Sequence, residues 1–385
     1  MNPFAIQIPE ADLEDLRYRL ARTRWPEPTT VGDWTQGVPV DWLRELCGYW
    51  QNGYDWRRLE QRLNAETQLT TDVDGVTIHC VHRRSPEPDA LPLVLTHGWP
   101  GSVVEFLDVL GPLADPVAHG GDARDAFHVV CPSLPGFGFS GKPTEPGWGP
   151  PRIARAWAEL MSRLGYERFG AQGGDWGSPV TTGLATQFPD RVVGIHLNYA
   201  PVPPDPSTDD LTPAEQKSIA DTGYHLEWGS GYALQQGTRP QTLGYGLVDS
   251  PAGQCGWIAE KYWAWTDHDG DPYQALSRDQ MLDNISVYWH TASAASSARI
   301  YWEDGFARPS ARRAGRRPDA VQVPVAVSVF PREIIRPSRR WCERYYADLR
   351  FYEELERGGH FAAFEQPALF VDQVRRAFRT MRAAI

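Results

Sequence analysis

The sequence has little cysteine and no long run of apolar residues. Its five cysteines are scattered, odd in number and never spaced as Cys-x-x-Cys, so we expect reduced, mostly structural thiols. No apolar run approaches the ~20 residues of a membrane-spanning helix, and the first residues lack the apolar core of a signal peptide. These absences predict a cytoplasmic protein without a membrane anchor.

An excess of positive charge is also absent. The formal net charge is −11 at pH 7, which argues against nucleic acid and anionic membranes as partners. Charged residues make up 23% and hydrophobic residues 41% of the chain, as in an ordinary soluble globular protein. At 385 residues the chain is long for one core, so we expect one large domain with an inserted or appended second unit. The sequence leaves a homodimer open.

Short buried runs alternate with helical segments in much of the chain. The runs 91–96, 127–131 and 192–197 are predicted strands, and helical segments lie between them. Alternation of this kind specifies a parallel sheet that is covered by helices on both faces. We therefore expect an α/β fold with a mostly parallel, doubly wound sheet.

The chain divides into four predicted segments. Residues 1–66 read as a helical leader that wraps around the next domain, and residues 67–204 form the first part of the sheet domain. Prolines that follow Asn198 mark a boundary. Residues 205–318 are predicted to form an inserted helical cap, and strand character resumes in the second part of the sheet domain, 319–385.

Aromatic side chains are plentiful, particularly in the predicted cap. The 16 tryptophans and 15 tyrosines of the chain imply broad apolar surfaces with polar tips, either in interfaces or in a pocket. The cap tryptophans favour a pocket for an apolar ligand. They are Trp228, Trp257, Trp263, Trp265, Trp289 and Trp302.

Two polar loops look like ligand sites but have simpler explanations. An arginine-rich loop after the cap is predicted to be a solvated linker, because it has no interleaved aromatics and the chain is strongly acidic. Its arginines are Arg308, Arg312, Arg313, Arg316 and Arg317. The run Asp-His-Asp-Gly-Asp at 267–271 resembles the start of a calcium loop, but its twelfth position is Arg278 rather than Glu. We predict an exposed cap loop there, and neither a metal nor a cofactor.

The strongest motif is Arg-Phe-Gly-Ala-Gln-Gly-Gly-Asp-Trp-Gly at 168–177. A short apolar approach ends in glycines that bracket Asp175, and a helix is predicted directly afterwards. Gly-x-Asp-x-Gly at a strand-to-helix junction is the nucleophile-elbow pattern, with aspartate in place of the usual serine. The glycines allow the backbone to turn sharply, so the central side chain should project out of the sheet.

Two further residues complete a catalytic constellation. An α/β-hydrolase carries its nucleophile, acid and histidine in that chain order, each on a loop after a strand at the carboxyl edge of the sheet. Asp175, Glu333 and His360 follow predicted strands in this order. Each alone has a simpler explanation, as a turn cap, a surface carboxylate or a packed histidine. Their joint placement favours the catalytic interpretation.

An aspartate nucleophile selects the chemistry. A carboxylate needs no base for its first attack, and displacement at a saturated carbon would give an alkyl ester of Asp175. Water activated by His360 could then attack the ester carbonyl, while Glu333 holds the imidazole tautomer and stabilises the imidazolium. The backbone N–H groups of Trp99 and Trp176 are predicted to bind the oxyanion.

Four motifs together resemble the microsomal-type epoxide hydrolases, which include the insect juvenile-hormone epoxide hydrolases. They are His-Gly-Trp-Pro-Gly-Ser at 97–102, Gln-Gly-Gly-Asp-Trp-Gly-Ser at 172–178, Phe-Pro-Arg-Glu at 330–333 and Arg-Gly-Gly-His-Phe at 357–361. The resemblance covers nearly the whole chain and implies an α/β-hydrolase fold with a cap. It also implies that the partners are a small-molecule epoxide and water. Vertebrate members carry an N-terminal membrane anchor, which we do not expect here.

The resemblance also assigns two tyrosines. Family members grip the epoxide oxygen with two cap tyrosines, and the segments 231–235 and 299–303 match those positions, so Tyr232 and Tyr301 inherit the role. Opening an epoxide creates an alkoxide that is too basic to leave unassisted, and a phenol can donate a hydrogen bond and then a proton. The expected substrate-binding residues are therefore these tyrosines together with Trp99 and Trp176.

Two other functions compete with epoxide hydrolysis. A haloalkane or haloacid dehalogenase would use the same aspartate, histidine and acid, but it would need donors for a halide and no pair of tyrosines. A non-catalytic binding protein of this fold usually loses a member of the triad, and this chain keeps all three. We therefore expect hydrolysis of an apolar epoxide, aryl or polyunsaturated. Its role would lie in detoxification or in secondary metabolism, such as the biosynthesis of enediyne antibiotics.

Overall fold

The structure, a computed structural model, describes residues 1–204, 209–307 and 321–382. These residues form one nine-stranded sheet in the order β1-β2-β3-β5-β4-β6-β7-β8-β9. The strands are β1 (Asn2–Pro3), β2 (Gln68–Val73), β3 (Val76–Arg83), β4 (Leu91–Thr96), β5 (Phe127–Pro132), β6 (Phe169–Gly173), β7 (Val192–Leu197), β8 (Val325–Val329) and β9 (Leu349–Glu354). From β4 the chain adds β5 on one side and β6 to β9 on the other, so the predicted doubly wound sheet is confirmed.

The sheet is parallel from β5 through β4 to β9, and antiparallel where β1, β2 and β3 extend it beyond β5. Every residue of β6, β7 and β8 is buried, as expected for strands that are covered on both faces. The turn between β2 and β3 has positive φ at Asp74 and Gly75, 52° and 79°. Two positive φ values match the type I′ turn of a two-residue hairpin, for which an Asp-Gly pair is favoured.

Helices surround the sheet and form the segment between β7 and β8. In chain order, the described helices are α1 (Glu10–Ala21), α2 (Val40–Asn52), α3 (Trp56–Asn64), α4 (Leu107–Ala114), α5 (Pro150–Arg163), α6 (Gly177–Gln187), α7 (Pro213–Tyr224), α8 (Gly231–Thr238), α9 (Pro240–Asp249), α10 (Pro251–Trp265), α11 (Arg278–His290), α12 (Ala294–Asp304), α13 (Arg339–Tyr345), α14 (Ala362–Glu365) and α15 (Pro367–Arg382). Within the described ranges, none of these helices combines the length and apolarity that crossing a bilayer requires.

The closing helix α15 lies directly on the central strands. It buries an apolar face that includes Phe370, Val374 and Phe378. Glycines in β6 and β7 make this close approach possible. A Cβ at Gly170 would overlap the ring of Phe378, and a Cβ at Gly194 would overlap the side chain of Met381. The sheet position next to the nucleophile elbow is therefore fixed by close helix-on-strand packing.

The segment between β7 and β8 is helical, as predicted for a cap. Helices α7 to α12 follow one another there, with a π-helical turn at His225–Gly229, and residues 209–307 contain no strand. The division of the chain into four segments stays a prediction. The arginine-rich linker and the predicted boundary at 318 lie outside the described residues, and the linker comprises Arg308, Arg312, Arg313, Arg316 and Arg317.

The leader differs in two ways from the helical wrap around the sheet domain that the sequence predicted. It begins with β1, which pairs antiparallel with β2, so the sheet starts at Asn2 rather than after the leader. A strand of two residues is too short to show a periodic pattern in the sequence. It is recognised only by its hydrogen bonds to β2. Helix α2 and the loop after it also bond to the cap. Trp50 Nε1 donates to Ser286 Oγ at 2.9 Å, and Tyr54 Oη donates to Asp283 Oδ1 at 2.8 Å.

Candidate active site

Asp175 occupies the turn between β6 and α6 with a left-handed backbone, φ 46°. Such a conformation is uncommon for a residue with a Cβ and marks a strained turn that its surroundings hold in place. Neighbouring glycines leave room for it. A Cβ at Gly173 would overlap the carbonyl of Gly177, and a Cβ at Gly177 would overlap the carbonyl of Thr96. The structure therefore contains the sharp strand-to-helix turn that the Gly-x-Asp-x-Gly pattern predicted.

The carboxylate of Asp175 lies between the loop after β4 and His360. The Trp99 N–H donates to Asp175 Oδ1 at 2.7 Å, and His360 Nε2 lies 3.4 Å from Asp175 Oδ2. A Cβ at Gly98 would overlap the Asp175 side chain, so that position requires glycine. The carboxylate keeps 17% of its side-chain surface accessible, which leaves it open to a small reactant.

His360 is oriented by Glu333. Its Nδ1 lies 2.6 Å from Glu333 Oε1, and the same oxygen accepts the backbone N–H of Ile334 at 2.7 Å. The backbone N–H of His360 donates to the carbonyl of Trp265 at 2.9 Å. Nδ1 therefore carries the proton that faces Glu333, and Nε2 points at Asp175. The structure brings together the three residues that the sequence proposed as a triad.

The charge of His360 depends on its two carboxylates. Burial lowers the pKa of this histidine, but the negative charges of Glu333 and Asp175 outweigh burial and raise the pKa well above its ordinary value. While Asp175 is a free carboxylate, His360 is therefore held as the imidazolium. Removing the charge of Asp175 would remove one of the two causes of this elevated pKa.

Two buried phenols lie against Trp99, which donates to Asp175, and Trp176, which follows it in the chain. The Tyr232 ring stacks on Trp99 with centroids 5.0 Å apart, and the Tyr301 ring meets Trp176 edge-on at 4.7 Å. The Tyr301 hydroxyl is buried and makes no hydrogen bond of ordinary geometry within the described chain. Burial, together with the negative charge of Asp175, raises the pKa of both phenols well above the usual value. Both hydroxyls therefore stay protonated and able to donate.

The predicted oxyanion donors are the backbone N–H groups of Trp99, in the loop after β4, and Trp176, the residue after Asp175. The Trp99 N–H already contacts the carboxylate, and the bond between Trp99 and Pro100 is cis. Trp176 immediately precedes α6, where backbone N–H groups have no intrahelical partner. Trp176 Nε1 is a further buried donor without a hydrogen-bond partner in the described chain.

The loop that carries His360 is anchored by two carboxylates that the sequence analysis did not assign to the site. Asp267 Oδ2 accepts the Gly358 N–H at 2.8 Å, and Glu365 accepts the N–H groups of Asp267 at 2.9 Å and Phe361 at 3.0 Å. Asp267 is therefore half-buried, whereas the loop at 267–271 was predicted to be exposed. In the described chain, no group of three His, Cys, Asp or Glu side chains is arranged to hold a metal.

Cap helix α11 also bonds to the turn that carries Trp99, which the sequence analysis missed. Asn284 Nδ2 donates to the Pro100 carbonyl at 2.6 Å, and Tyr288 Oη donates to the Gly101 carbonyl at 2.8 Å. Both side chains are buried. No local pattern identifies these contacts, because they join residues more than 180 positions apart.

Replacing Tyr288 with phenylalanine is expected to destabilise the protein without removing apolar packing. The Gly101 carbonyl would lose its partner in a buried place, which costs about 1–3 kcal/mol. Urea unfolding should show a lower midpoint with an unchanged slope. Tyr245→Phe is the matched control, since Tyr245 is 72% exposed, and it should leave the midpoint unchanged. Equal midpoints for both variants would contradict this role of Tyr288.

The cap tryptophans do not line one pocket together. Of the six that the sequence analysis singled out, Trp265 contacts Tyr232 and His360, with ring centroids 5.2 Å and 5.0 Å apart. Trp228 and Trp302 are 73% and 44% exposed. The apolar surroundings of Asp175 in the described chain therefore include Trp265 but not these two exposed side chains.

The doubly wound sheet, the elbow after β6 and the helices inserted after β7 define an α/β-hydrolase. Residues 92–226 match the family described as alpha/beta hydrolase fold, and residues 1–106 match the family described as Epoxide hydrolase N terminus. The match at residues 1–106 includes the leader, which contacts both the sheet and the cap. The leader is therefore a feature shared with epoxide hydrolases.

Relatives cover nearly the whole chain. An inferred epoxide hydrolase of Stigmatella aurantiaca is 55% identical over 100% of this chain and 86% of its own length. Epoxide hydrolase 1 of Sus scrofa is 33% identical over 98% of this chain and 88% of its own length. The Aspergillus niger epoxide hydrolase structure matches with a TM-score of 0.88, 33% identity, and coverage of 99% of this chain and 96% of that one. The juvenile hormone epoxide hydrolase structure from Bombyx mori matches with a TM-score of 0.89 and 30% identity, and the match covers 100% of this chain and 95% of that one. The chain belongs to the epoxide hydrolase family.

Proposed function

We propose that this enzyme converts an apolar epoxide into a vicinal diol through a covalent ester on Asp175. The observation that carries the proposal is an aspartate at the elbow that faces two protonated phenols, Tyr232 and Tyr301. A carboxylate is a suitable nucleophile for a saturated carbon, and phenols are suitable acids for the oxygen that leaves it. This pairing of nucleophile and acid fits an epoxide, in which the attacked carbon and the leaving oxygen belong to the same three-membered ring.

In the first half-reaction, Asp175 attacks one epoxide carbon. A bond forms between the carboxylate oxygen and that carbon, and the ring bond between carbon and oxygen breaks. The released alkoxide takes a proton from Tyr232 or Tyr301, which becomes a phenolate. The product is a hydroxyalkyl ester of Asp175. This step requires no base, because the nucleophile is already charged.

In the second half-reaction, water attacks the ester carbonyl. His360 takes a proton from that water, and Glu333 stabilises the resulting imidazolium. The N–H groups of Trp99 and Trp176 donate to the oxyanion of the tetrahedral intermediate. Collapse of the intermediate breaks the bond to the alkyl group, whose oxygen receives the proton from His360. The newly formed Asp175 carboxyl passes its proton to His360, which restores the carboxylate and the imidazolium.

The pKa of His360 supports this order of steps. As long as Asp175 is charged, it contributes to the high pKa of the histidine. Ester formation neutralises Asp175, so the pKa of His360 falls. The imidazolium then gives its proton to the phenolate that the first step produced, and the neutral imidazole becomes available as a base. The histidine would thus be activated by completion of the first half-reaction, at the stage where a base is needed.

Comparing an epoxide with a haloalkane tests this proposal. Styrene oxide and 1-bromobutane would be incubated in parallel with the purified chain, and diol and bromide would be measured. We expect diol from the epoxide and no bromide above the buffer control. An Asp175→Asn preparation controls for spontaneous hydrolysis. Bromide release would favour the dehalogenase alternative, and the absence of both products would favour a non-catalytic binding protein.

We also propose a cytoplasmic enzyme that needs neither metal nor cofactor and whose small-molecule substrate is apolar. Its described cysteines are unpaired and buried, which suits a reducing compartment. Apolar rings of Trp99, Trp176 and Trp265 surround the nucleophile and would favour an aryl or polyunsaturated epoxide. Such a substrate is compatible with detoxification and with secondary metabolism.

A further inference from the structure

A small cavity is lined by Asp175 and His360. Its volume is about 20 Å³, which is enough for one water molecule. Its lining residues include Asp175 and His360 together with Gly101, Glu105 and Asn198. A water here would lie next to both the carbon that must be attacked and the imidazole that must take the proton.

Glu105 is the one further acidic residue among the side chains that line this cavity. It belongs to the short 3-10 turn Val103–Phe106, four residues after Gly101. A Cβ at Gly101 would overlap Glu105 Oε1, so this glycine leaves the space that the carboxyl occupies. The side chain is partly buried, and it borders the cavity. No lysine or arginine of the described chain forms an ion pair with it.

The surroundings of Glu105 keep it uncharged at neutral pH. Burial raises the pKa of its carboxyl to about 8, with the positive charge of His360 opposing this rise and Asp175 and Glu365 adding to it. Two further titratable groups face it from the cap, the phenols of Tyr262 and Tyr288, and both stay neutral. A neutral carboxyl offers a carbonyl oxygen as an acceptor and adds no third negative charge beside Asp175 and Glu333.

We propose that this cavity holds the water that hydrolyses the Asp175 ester, and that Glu105 orients that water by accepting a hydrogen bond from one of its O–H groups. The other O–H group of the water points at His360 Nε2. The imidazole takes that proton while the water oxygen forms its bond to Asp175 Cγ. Glu105 keeps its own proton throughout. This role rests on the proposed ester mechanism and belongs only to its second half-reaction. It makes Glu105 a catalytic residue that contacts the attacking water.

The two half-reactions separate this role from a structural one. Glu105→Leu keeps the approximate volume but removes the acceptor, and Glu105→Gln restores a neutral acceptor of the same shape. Single-turnover reactions with styrene oxide, quenched at intervals and analysed by mass spectrometry, give the rates of ester formation and ester hydrolysis. For Glu105→Leu we expect ester formation within about 3-fold of wild type and hydrolysis slowed about 10–100-fold, so that the ester accumulates. Glu105→Gln should recover most of that loss.

A pH profile gives a second measurement that does not depend on the leucine variant. In the wild type, hydrolysis of the ester should slow above about pH 8, where Glu105 becomes a carboxylate that opposes the developing oxyanion. Glu105→Gln cannot ionise, so its hydrolysis rate should stay level over the same range. Glu14→Leu, at an exposed position in α1, is the control for an added leucine and should match the wild type in both half-reactions.

Three outcomes would overturn the assignment of Glu105. They are hydrolysis at the wild-type rate in Glu105→Leu, an equal slowing of both half-reactions in that variant, and the same loss above pH 8 in Glu105→Gln as in the wild type. Failure of the underlying mechanism gives a different result, since the wild type would then form diol without any ester on Asp175.

Discussion

Replacing His360 with glutamine is expected to stop turnover while leaving the first half-reaction intact. The first step needs only the charged Asp175 and a phenol donor, whereas the second needs a base for water. Loss of that base should slow ester hydrolysis by about 10²–10⁴-fold. Mass spectrometry of His360→Gln mixed with an epoxide should therefore show one substrate mass added, located on the peptide that contains Asp175. Glutamine is chosen because it keeps a donor toward Glu333.

Two controls make this experiment decisive. Asp175→Asn should initially show no adduct, because a neutral amide is a poor nucleophile, and it has the same shape as the wild-type side chain. Wild-type enzyme in a single turnover in H₂¹⁸O should place the label on Asp175 first and in the diol only during later cycles. Labelled diol from the first turnover would mean direct attack of water on the epoxide, and the covalent mechanism would be wrong.

The sheet and the elbow were predictable because their signals are local. Short buried runs alternate with helices, and the glycines around Asp175 mark a turn that few other residues permit. The order of Asp175, Glu333 and His360 along the chain then placed them at one edge of a parallel sheet. The structure holds Asp175 and Glu333 within 3.4 Å and 2.6 Å of His360.

Contacts between distant segments were not predictable in the same way. Asn284 and Tyr288 read as ordinary residues of a cap helix, and their bonds to the Trp99 turn depend on how that helix packs. Glu105 follows the recognised motif by a few residues, but only the fold brings its carboxyl to the cavity behind Asp175. The two-residue strand β1 likewise exists only because β2 is beside it.

The tryptophans illustrate the limit of composition. Their number in the cap indicated an apolar pocket, but composition does not say which way a side chain points. Trp265 contacts His360 because α10 ends there, while Trp228 lies at an exposed π-helical turn. Periodicity gives no help in such a turn, because its residues per turn differ from those of an α-helix.

Removing both cap phenols is expected to abolish the first half-reaction. Each phenol can donate to the epoxide oxygen, so Tyr232→Phe or Tyr301→Phe alone should slow ester formation by about 10–1000-fold. With both hydroxyls gone, the alkoxide would form beside Asp175 without a donor from either tyrosine. The double variant should therefore show neither diol nor ester, although its Asp175 and His360 are intact.

The matched readout is ester formation in a His360→Gln background, which isolates the step that the tyrosines serve. In that background the wild-type tyrosines should give a full adduct, each single variant a slow one, and the double variant none. Tyr245→Phe controls for loss of a phenol elsewhere in the cap and should react normally, since its side chain is 72% exposed. The aromatic rings remain in every variant, so the packing on Trp99 and Trp176 is kept and a change in rate reports the hydroxyls. Rapid ester formation in the double variant would mean that another donor, such as the unpartnered Trp176 Nε1, protonates or holds the epoxide oxygen, and the assignment of Tyr232 and Tyr301 would be lost.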